Sequence, residues 1–284
     1  MILSIVVPTL NRDKELVCML QSAYQLIGND VEIIVVDQNP KGFLDRCIPK
    51  KLSKKISIIH IDQKGGSNAR NVGLSLAKGQ YINFCDDDAI IEPNLLNLIK
   101  DAFDKYSDAK MISFKSLDTE SDALCWLPFP DDNCKITKSN FRSLTNEFSQ
   151  VWLTSYLRKI GGYDINLGPG SYFAAEEGND LIVRTFSDHQ PMYYISSTAF
   201  RHPLKLHSSG KRYFSYAAGT AALTFKHWNK SYVIKHTIIF ILKGMAGTII
   251  FSFWDFSKSK KHFMRCLGFF CGLSKSLKNK IYER

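Results

Sequence analysis

A chain of 284 residues with 45% hydrophobic and 23% charged side chains has ample material for a core, which excludes the disordered and fibrous classes. Its net charge of +10 is unevenly placed. From Lys226 onward the acids are Asp255 and Glu283 alone, and apolar residues accompany the bases, so the tail suits an anionic membrane surface, with no nucleic acid expected. Seven cysteines without a C-x-x-C pair give no zinc or disulfide framework and fit a reduced, cytosolic setting.

Residues 2–7 form a short β-branched run ended by Pro8; without a basic leader region it reads as a buried strand, not a signal peptide. The spacing of Leu16, Leu20, Ala23 and Ile27 predicts a helix over 13–27. A second strand is expected over 31–36, ending at Asp37, and a third over 56–61, ending at Asp62. A helix follows over 67–77, with Ser67 as N-cap and Gly79 as its stop. A fourth strand over 81–85 runs directly into Asp86-Asp87-Asp88, and 92–106 is helical again with Pro93 in its first turn. Strands alternating with helices predict an α/β fold with a mostly parallel sheet covered on both faces. Ligands of such sheets bind beyond the carboxyl ends of the strands, where Thr9, Asn11, Arg12, Asp37, Asp62 and the acidic triplet all fall.

Between 111 and 157 the pattern loosens, and the glycines from Gly161 to Gly170 suggest a flexible segment beside a lid. A short helix is expected from about Glu177, and a strand over 192–200 leads to Arg201-His202-Pro203. Residues 236–254 are apolar except for Lys243 and a few small polar side chains. They are long enough to cross a bilayer, but a central lysine opposes it at about 2.5–3.5 kcal/mol. With Lys258, Lys260, Lys261 and Arg265 following, a helix lying in the headgroup layer is favoured over a soluble core helix or a true span.

Three adjacent carboxylates after a buried strand repel one another, so a cation should offset them. Hard oxygen donors suit Mg²⁺ or Mn²⁺ shared with a diphosphate. A solvated turn capping the next helix is the competing reading; the position at a sheet rim argues against it. Asp37 could accept hydrogen bonds from a base or ribose. Gly65-Gly66 with Arg70 offers backbone N–H groups and a guanidinium for phosphate oxygens. Glu176, Glu177 and Asp180 lie at a helix start, where acids are favoured in any case, and one of them could serve as a general base. His202 could be a third metal ligand or a diphosphate contact, although a lone His before Pro is more often structural.

Taken in order, Pro8-Thr9-Leu10-Asn11-Arg12, Val35-Val36-Asp37, Gly66-x-x-x-Arg70-Asn71-x-Gly73 and Phe84-Cys85-Asp86-Asp87-Asp88 resemble family 2 glycosyltransferases. Gly161-Gly162-Tyr163-Asp164 and Glu177-x-x-Asp180-Leu181-x-x-Arg184 continue the resemblance, which covers roughly residues 1–203. His202-Pro203 and the helical tail resemble bacterial capsule and O-antigen enzymes. The resemblance implies a GT-A fold, with a catalytic domain over 1–205 (nucleotide-binding over 1–110, acceptor-binding over 111–205) and a basic, membrane-associating helical tail over 206–284. It further implies inverting transfer from a nucleoside-diphosphate sugar to a glycan or lipid-linked glycan, in an enzyme peripheral on the cytoplasmic face of the membrane.

By this resemblance Pro8, Thr9, Arg12 and Asp37 contact the nucleotide, with Gly66, Arg70, Asp86 and Asp87 counted among the donor-binding groups. Asp86 and Asp88, with His202, hold the metal. The acidic segment supplies the base, but many relatives read Glu-Asp-x-Asp where this chain has Gly178, which leaves Glu177, Glu176 and Asp180 as alternatives. A dehydrogenase fingerprint and a P-loop are both absent after the first strand. The rival from another class is a non-catalytic membrane or nucleic-acid binding protein with a degenerate glycosyltransferase fold.

Overall fold

Leu3–Thr9 (β1) is buried along almost its whole length, as a strand flanked by partners and covered on both faces requires. The structure, a computed structural model, describes residues 1–28, 30–204 and 209–278. The chain divides into two compact units.

The first unit comprises Met1–Lys64, Asn68–Tyr163 and Arg184–Leu204. Its strands after β1 are Val31–Asp37 (β2), Ser57–His60 (β3), Tyr81–Phe84 (β4), Ile90–Ile91 (β5), Met111–Leu117 (β6), Cys134–Lys135 (β7), Gln150–Leu153 (β8) and Met192–Arg201 (β9). Among the described residues these form one nine-stranded sheet in the order β3-β2-β1-β4-β8-β6-β9-β5, with β7 also paired to β9. The run β3-β2-β1-β4 is parallel, as expected from the alternating pattern. Beyond it β8 is antiparallel to both β4 and β6, which makes the sheet mixed overall and points β6 the same way as β4. β9 is parallel to β6. The carboxyl ends of β1, β2, β3, β4, β6 and β9 therefore share one rim.

Helices Lys14–Ala23 (α1), Phe43–Cys47 (α2), Lys50–Ser53 (α3), Gly66–Leu76 (α4), Leu95–Lys105 (α5), Phe141–Leu144 (α6) and Thr154–Lys159 (α7) connect the strands. The expected 13–27 helix stops at Ala23 and continues as a 3₁₀ turn over Tyr24–Leu26. α5 begins only at Leu95, because the residues before it run in the short strand β5, and Glu92 N–H donates to Ala199 O. On α4, a Cβ at Gly73 would stand 2.2 Å from Val6 Cγ1, so glycine is what lets this helix lie directly on β1.

The second unit comprises Gly65–Ser67, Asp164–Val183 and Lys205–Arg284. Helix Glu177–Ser187 (α8) begins in it, and Gly210–Lys226 (α9), Ser231–Phe251 (α10) and Phe256–Lys278 (α11) follow. The boundary expected between 205 and 206 lies outside the described residues, and the unit takes in 164–183 as well as the tail. Small residues let its helices close up: a Cβ at Gly272 of α11 would be 2.6 Å from Ala218 Cα of α9. On α10, Gly244 faces Cys266 and Gly247 faces His262 of α11, while Ile238, Leu242, Met245 and Ile249 are exposed.

Candidate active site

The triplet stands in a turn closed by Ala89 N–H donating to Asp86 O, immediately after β4, whose register is continued by Cys85 N–H donating to Val6 O. The end of β9 reaches the same place, because Ile90 of β5 pairs with Arg201 and His202 N–H donates to Leu117 O. Asp86, Asp88 and His202 thus offer three donor atoms within 4.8 Å of one another. His202 Nε2 lies 2.9 Å from Asp88 Oδ1 and 3.6 Å from Asp86 Oδ2. Its Nδ1 lies 3.0 Å from Pro203 O, an atom that can only accept, so the Nδ1 proton is fixed there and Nε2 is turned toward the acids.

A divalent cation fits this donor set. Two carboxylates and one imidazole nitrogen suit Mg²⁺ or Mn²⁺, and the hydrogen bond at Nδ1 is the outer support that metal-binding histidines usually have. Protein groups also face these acids. Arg12 Nη1 is 2.8 Å from Asp88 Oδ2 and Arg12 Nε is 3.7 Å from Asp87 Oδ1, while Thr9 Oγ1 donates to Asp87 Oδ2 at 2.8 Å. Burial still pushes the Asp87 carboxyl up to about 6, more than Thr9 and Arg12 can offset. Burial alone would lower His202, but hydrogen bonds and charge from Asp86 and Asp88 outweigh it and raise the imidazole to about 9.

The remaining residues singled out in the sequence fall in several places. Asp37 is buried at the end of β2, its Oδ1 accepting from Asn39 N–H at 2.9 Å and Asn39 Nδ2 at 2.7 Å; His60 Nδ1 is 3.7 Å from Oδ2. Asn39 Oδ1 also accepts from Asn11 N–H, joining the loops after β1 and β2. Pro8 is the half-buried penultimate residue of β1, opposite Val36. Asp62 does not join the rim: it is 93% exposed, because β3 ends two residues earlier. Arg70 is buried, with Asp86 at 3.5 Å, Glu147 at 3.4 Å and the Tyr163 ring 5.5 Å from its guanidinium carbon.

Gly66 departs from expectation, since its N–H donates to Pro169 O at 2.8 Å and is not open for a phosphate. Ser67 is not the N-cap of α4 either; its hydroxyl donates to Leu167 O. Nor is the segment from Gly161 loose at its start. Arg184 donates to Ile160 O and Gly162 O, and the Asn71 amide bonds both the N–H and the C=O of Tyr163.

The acidic segment belongs to the second unit. Asp180 is fully buried, with His227 Nε2 at 2.8 Å and Lys226 Nζ at 2.9 Å, and Lys226 reaches Asp164 at 2.6 Å. Glu176 sits at φ 74°, its carboxylate accepting from Thr220 and Asn179, both at 2.8 Å. Glu177 is buried beside Gly168, where a Cβ would meet its Cδ at 2.8 Å. Sequence reasoning missed Asn39, Glu147, Trp126 and Phe148. The last two pack on the His202 ring at centroid distances of 4.6 Å and 4.9 Å. All but Asn39 lie in the stretch where periodicity failed.

Residues 4–122 match the family model described as Glycosyl transferase family 2. The glycosyltransferase GlyG of Streptococcus pneumoniae is 31% identical over 127 residues, which cover 43% of this chain and 41% of GlyG. The chain therefore spans less than half of that relative's length. Among solved structures, the Pyrobaculum calidifontis mannosyltransferase PcManGT in complex with GDP-Man and Mn²⁺ matches with a TM-score of 0.66 at 11% identity, covering 98% of this chain and 87% of that one. Staphylococcus aureus TarS 1-349 in complex with UDP-GlcNAc matches with a TM-score of 0.62 at 14% identity, covering 100% and 93%. At these identities the likeness is one of fold, a GT-A-like α/β architecture followed by helices.

Proposed function

From the match of residues 4–122 to the Glycosyl transferase family 2 model, we propose an inverting, metal-dependent glycosyltransferase. It moves a sugar from a nucleoside diphosphate to a hydroxyl of a lipid-linked glycan in surface polysaccharide synthesis. The observation that carries this reading is the Asp86, Asp88 and His202 cluster beyond β4, on the same rim where β2, two strands away, ends in Asp37.

Asp86, Asp88 and His202 would hold Mg²⁺ or Mn²⁺, and a bound divalent cation would supply Lewis-acid stabilisation to the departing diphosphate. Asp37 and Asn39 receive the nucleoside, with Pro8 and Thr9 shaping the strand end beside it. Arg12, 2.8 Å from Asp88, and Arg70, 3.5 Å from Asp86, would offer two guanidinium groups to the phosphate oxygens. Of the three acids considered for the base, Asp180 is enclosed and bonded to two basic side chains, which suits a strut of the helix start. Glu177, beside Gly168, takes the proton of the acceptor hydroxyl as the new bond forms, with Glu176 as the alternative.

The tail from 206 onward holds the enzyme to the cytoplasmic face of the membrane. Among the described residues α10 is the helix long and apolar enough to cross a bilayer. One of its faces is occupied by α11, so the exposed stripe and the lysines beyond it favour lying in the headgroup layer over spanning.

The test is Mn²⁺-dependent hydrolysis or transfer with UDP-, GDP- and dTDP-sugars. Asp88→Ala is expected to lower turnover at least about 10²-fold with an unchanged circular dichroism spectrum. Turnover at the parental rate in that variant would refute the metal assignment.

A further inference from the structure

Trp126 stands in an unfavourable backbone conformation for a bulky residue, at φ 62°. Leu127 N–H donates to Cys125 O at 2.8 Å, closing a three-residue γ-turn of the rare positive-φ kind around the tryptophan. The turn is held from outside. Asn146 Nδ2 donates to Cys125 O and to Ser116 Oγ, and Cys125 N–H donates to Ser116 O of β6. Yet the residue so fixed stays 46% exposed. A hydrophobic anchor would be driven inward; this indole is kept at the surface.

Its position explains why that would matter. The indole packs at 4.6 Å on the His202 ring, whose Nε2 is 2.9 Å from Asp88, and Phe148 backs it edge-on at 6.3 Å. One side is thus anchored beside the cation cluster and much of the rest is open. Along the sheet, Trp126 adjoins β6, four strands from β2 and Asp37 in the order β2-β1-β4-β8-β6, or about 19 Å at about 4.8 Å per strand. The acids after β4 lie between. An extended donor with its nucleoside at Asp37 and its diphosphate at the acids would therefore carry its sugar to the Trp126 side.

We propose that Trp126 is a stacking platform for the pyranose ring of the donor, and so a specificity-determining residue. The C–H face of a pyranose is apolar and fits the face of an indole while the ring hydroxyls remain free for hydrogen bonds. The assignment rests on the reading of Asp86, Asp88 and His202 as the diphosphate and cation site.

The experiment uses the full chain with Mn²⁺, measuring affinity for UDP-GlcNAc and GDP-mannose against UDP and GDP by calorimetry. Trp126→Ala and Trp126→Gly both delete the ring, and the glycine tolerates the positive φ, so a folding defect in the first does not obscure the second. Both variants are expected to bind the sugar nucleotide that the parent accepts about three- to tenfold more weakly, with affinity for the matching diphosphate unchanged; Trp126→Phe keeps most of the difference. The emission of the parent minus that of Trp126→Phe should shift on adding the sugar nucleotide but not the diphosphate. Parental sugar-nucleotide affinity in Trp126→Gly, or equal losses for sugar nucleotide and diphosphate, would overturn the platform while leaving the cation site standing. Failure of the parent itself to bind any diphosphate with Mn²⁺ would overturn the underlying site, and this assignment with it.

Discussion

Two clusters of buried acids, one in each unit, are both matched by basic side chains, but they are matched differently. At the rim, Asp87 is pushed up to about 6 by burial despite Thr9 and Arg12, and His202 is raised to about 9 by the two acids it faces. In the second unit burial would raise Asp164, yet the hydrogen bond and charge of Lys226 prevail and hold it below its ordinary 3.8. In the first cluster burial leaves on Asp87 a cost that its partners do not offset; the second is settled within the protein. A cost left standing beside hard donors marks a place for a ligand cation, whereas a satisfied network marks architecture.

The sharpest way to break this contrast is at the proposed base. Glu177→Gln should lower kcat by about 10²–10⁴ with nucleotide affinity within about threefold, read from steady-state transfer and calorimetry. A variant with parental kcat would shift the role to Glu176.

Next comes Asp180→Ala, which takes the carboxylate from His227 and leaves Lys226 with Asp164 alone, and should cost about 3 kcal/mol in urea unfolding. Asp88→Ala should cost far less, because it removes one of three crowded acids. Equal losses would erase the distinction between strut and site.

Asp87→Asn tests the strain directly. A carboxyl whose folded pKa is raised carries no penalty below its unfolded value, an increasing one between 3.8 and about 6, and the full penalty above. The asparagine variant should therefore be more stable than the parent at pH 8, by at most about 3 kcal/mol, and equal to it near pH 3.5. Asp164 has the opposite sign: its contribution is present above 3.8 and lost as pH falls below that value through its folded pKa, a loss that Lys226→Met should reduce.

The smallest effect concerns the tail. Leu242→Glu with Ile249→Glu should weaken binding to anionic vesicles about tenfold or more without changing hydrolysis of a soluble donor. Unaltered sedimentation would detach α10 from the membrane.

Legibility in the sequence followed burial and length. β1, β2 and β4 are apolar runs buried on both faces, so they could be read directly, and the polar residues that end them pointed to the rim. His202 could be nominated but not located, because only the pairing of β9 with β5 and β6 brings it to Asp88. β8, four residues long, and β5, two residues long, are too short to show a period. Glu147, Trp126 and Phe148 lie among them without a motif. Gly66 shows a further limit: residue type suggested an open N–H, but the acceptor that occupies it comes from Pro169, a hundred residues away in the chain and invisible to any local pattern.

The placement of His202 just after the last strand also bears on how the protein matures. A nascent chain that has emerged only through β8 carries both acids but lacks the imidazole that completes the triad. On the proposed reading, full cation affinity would arise only after β9 has inserted between β6 and β5, and a cation that prefers the finished fold would stabilise that last step by mass action.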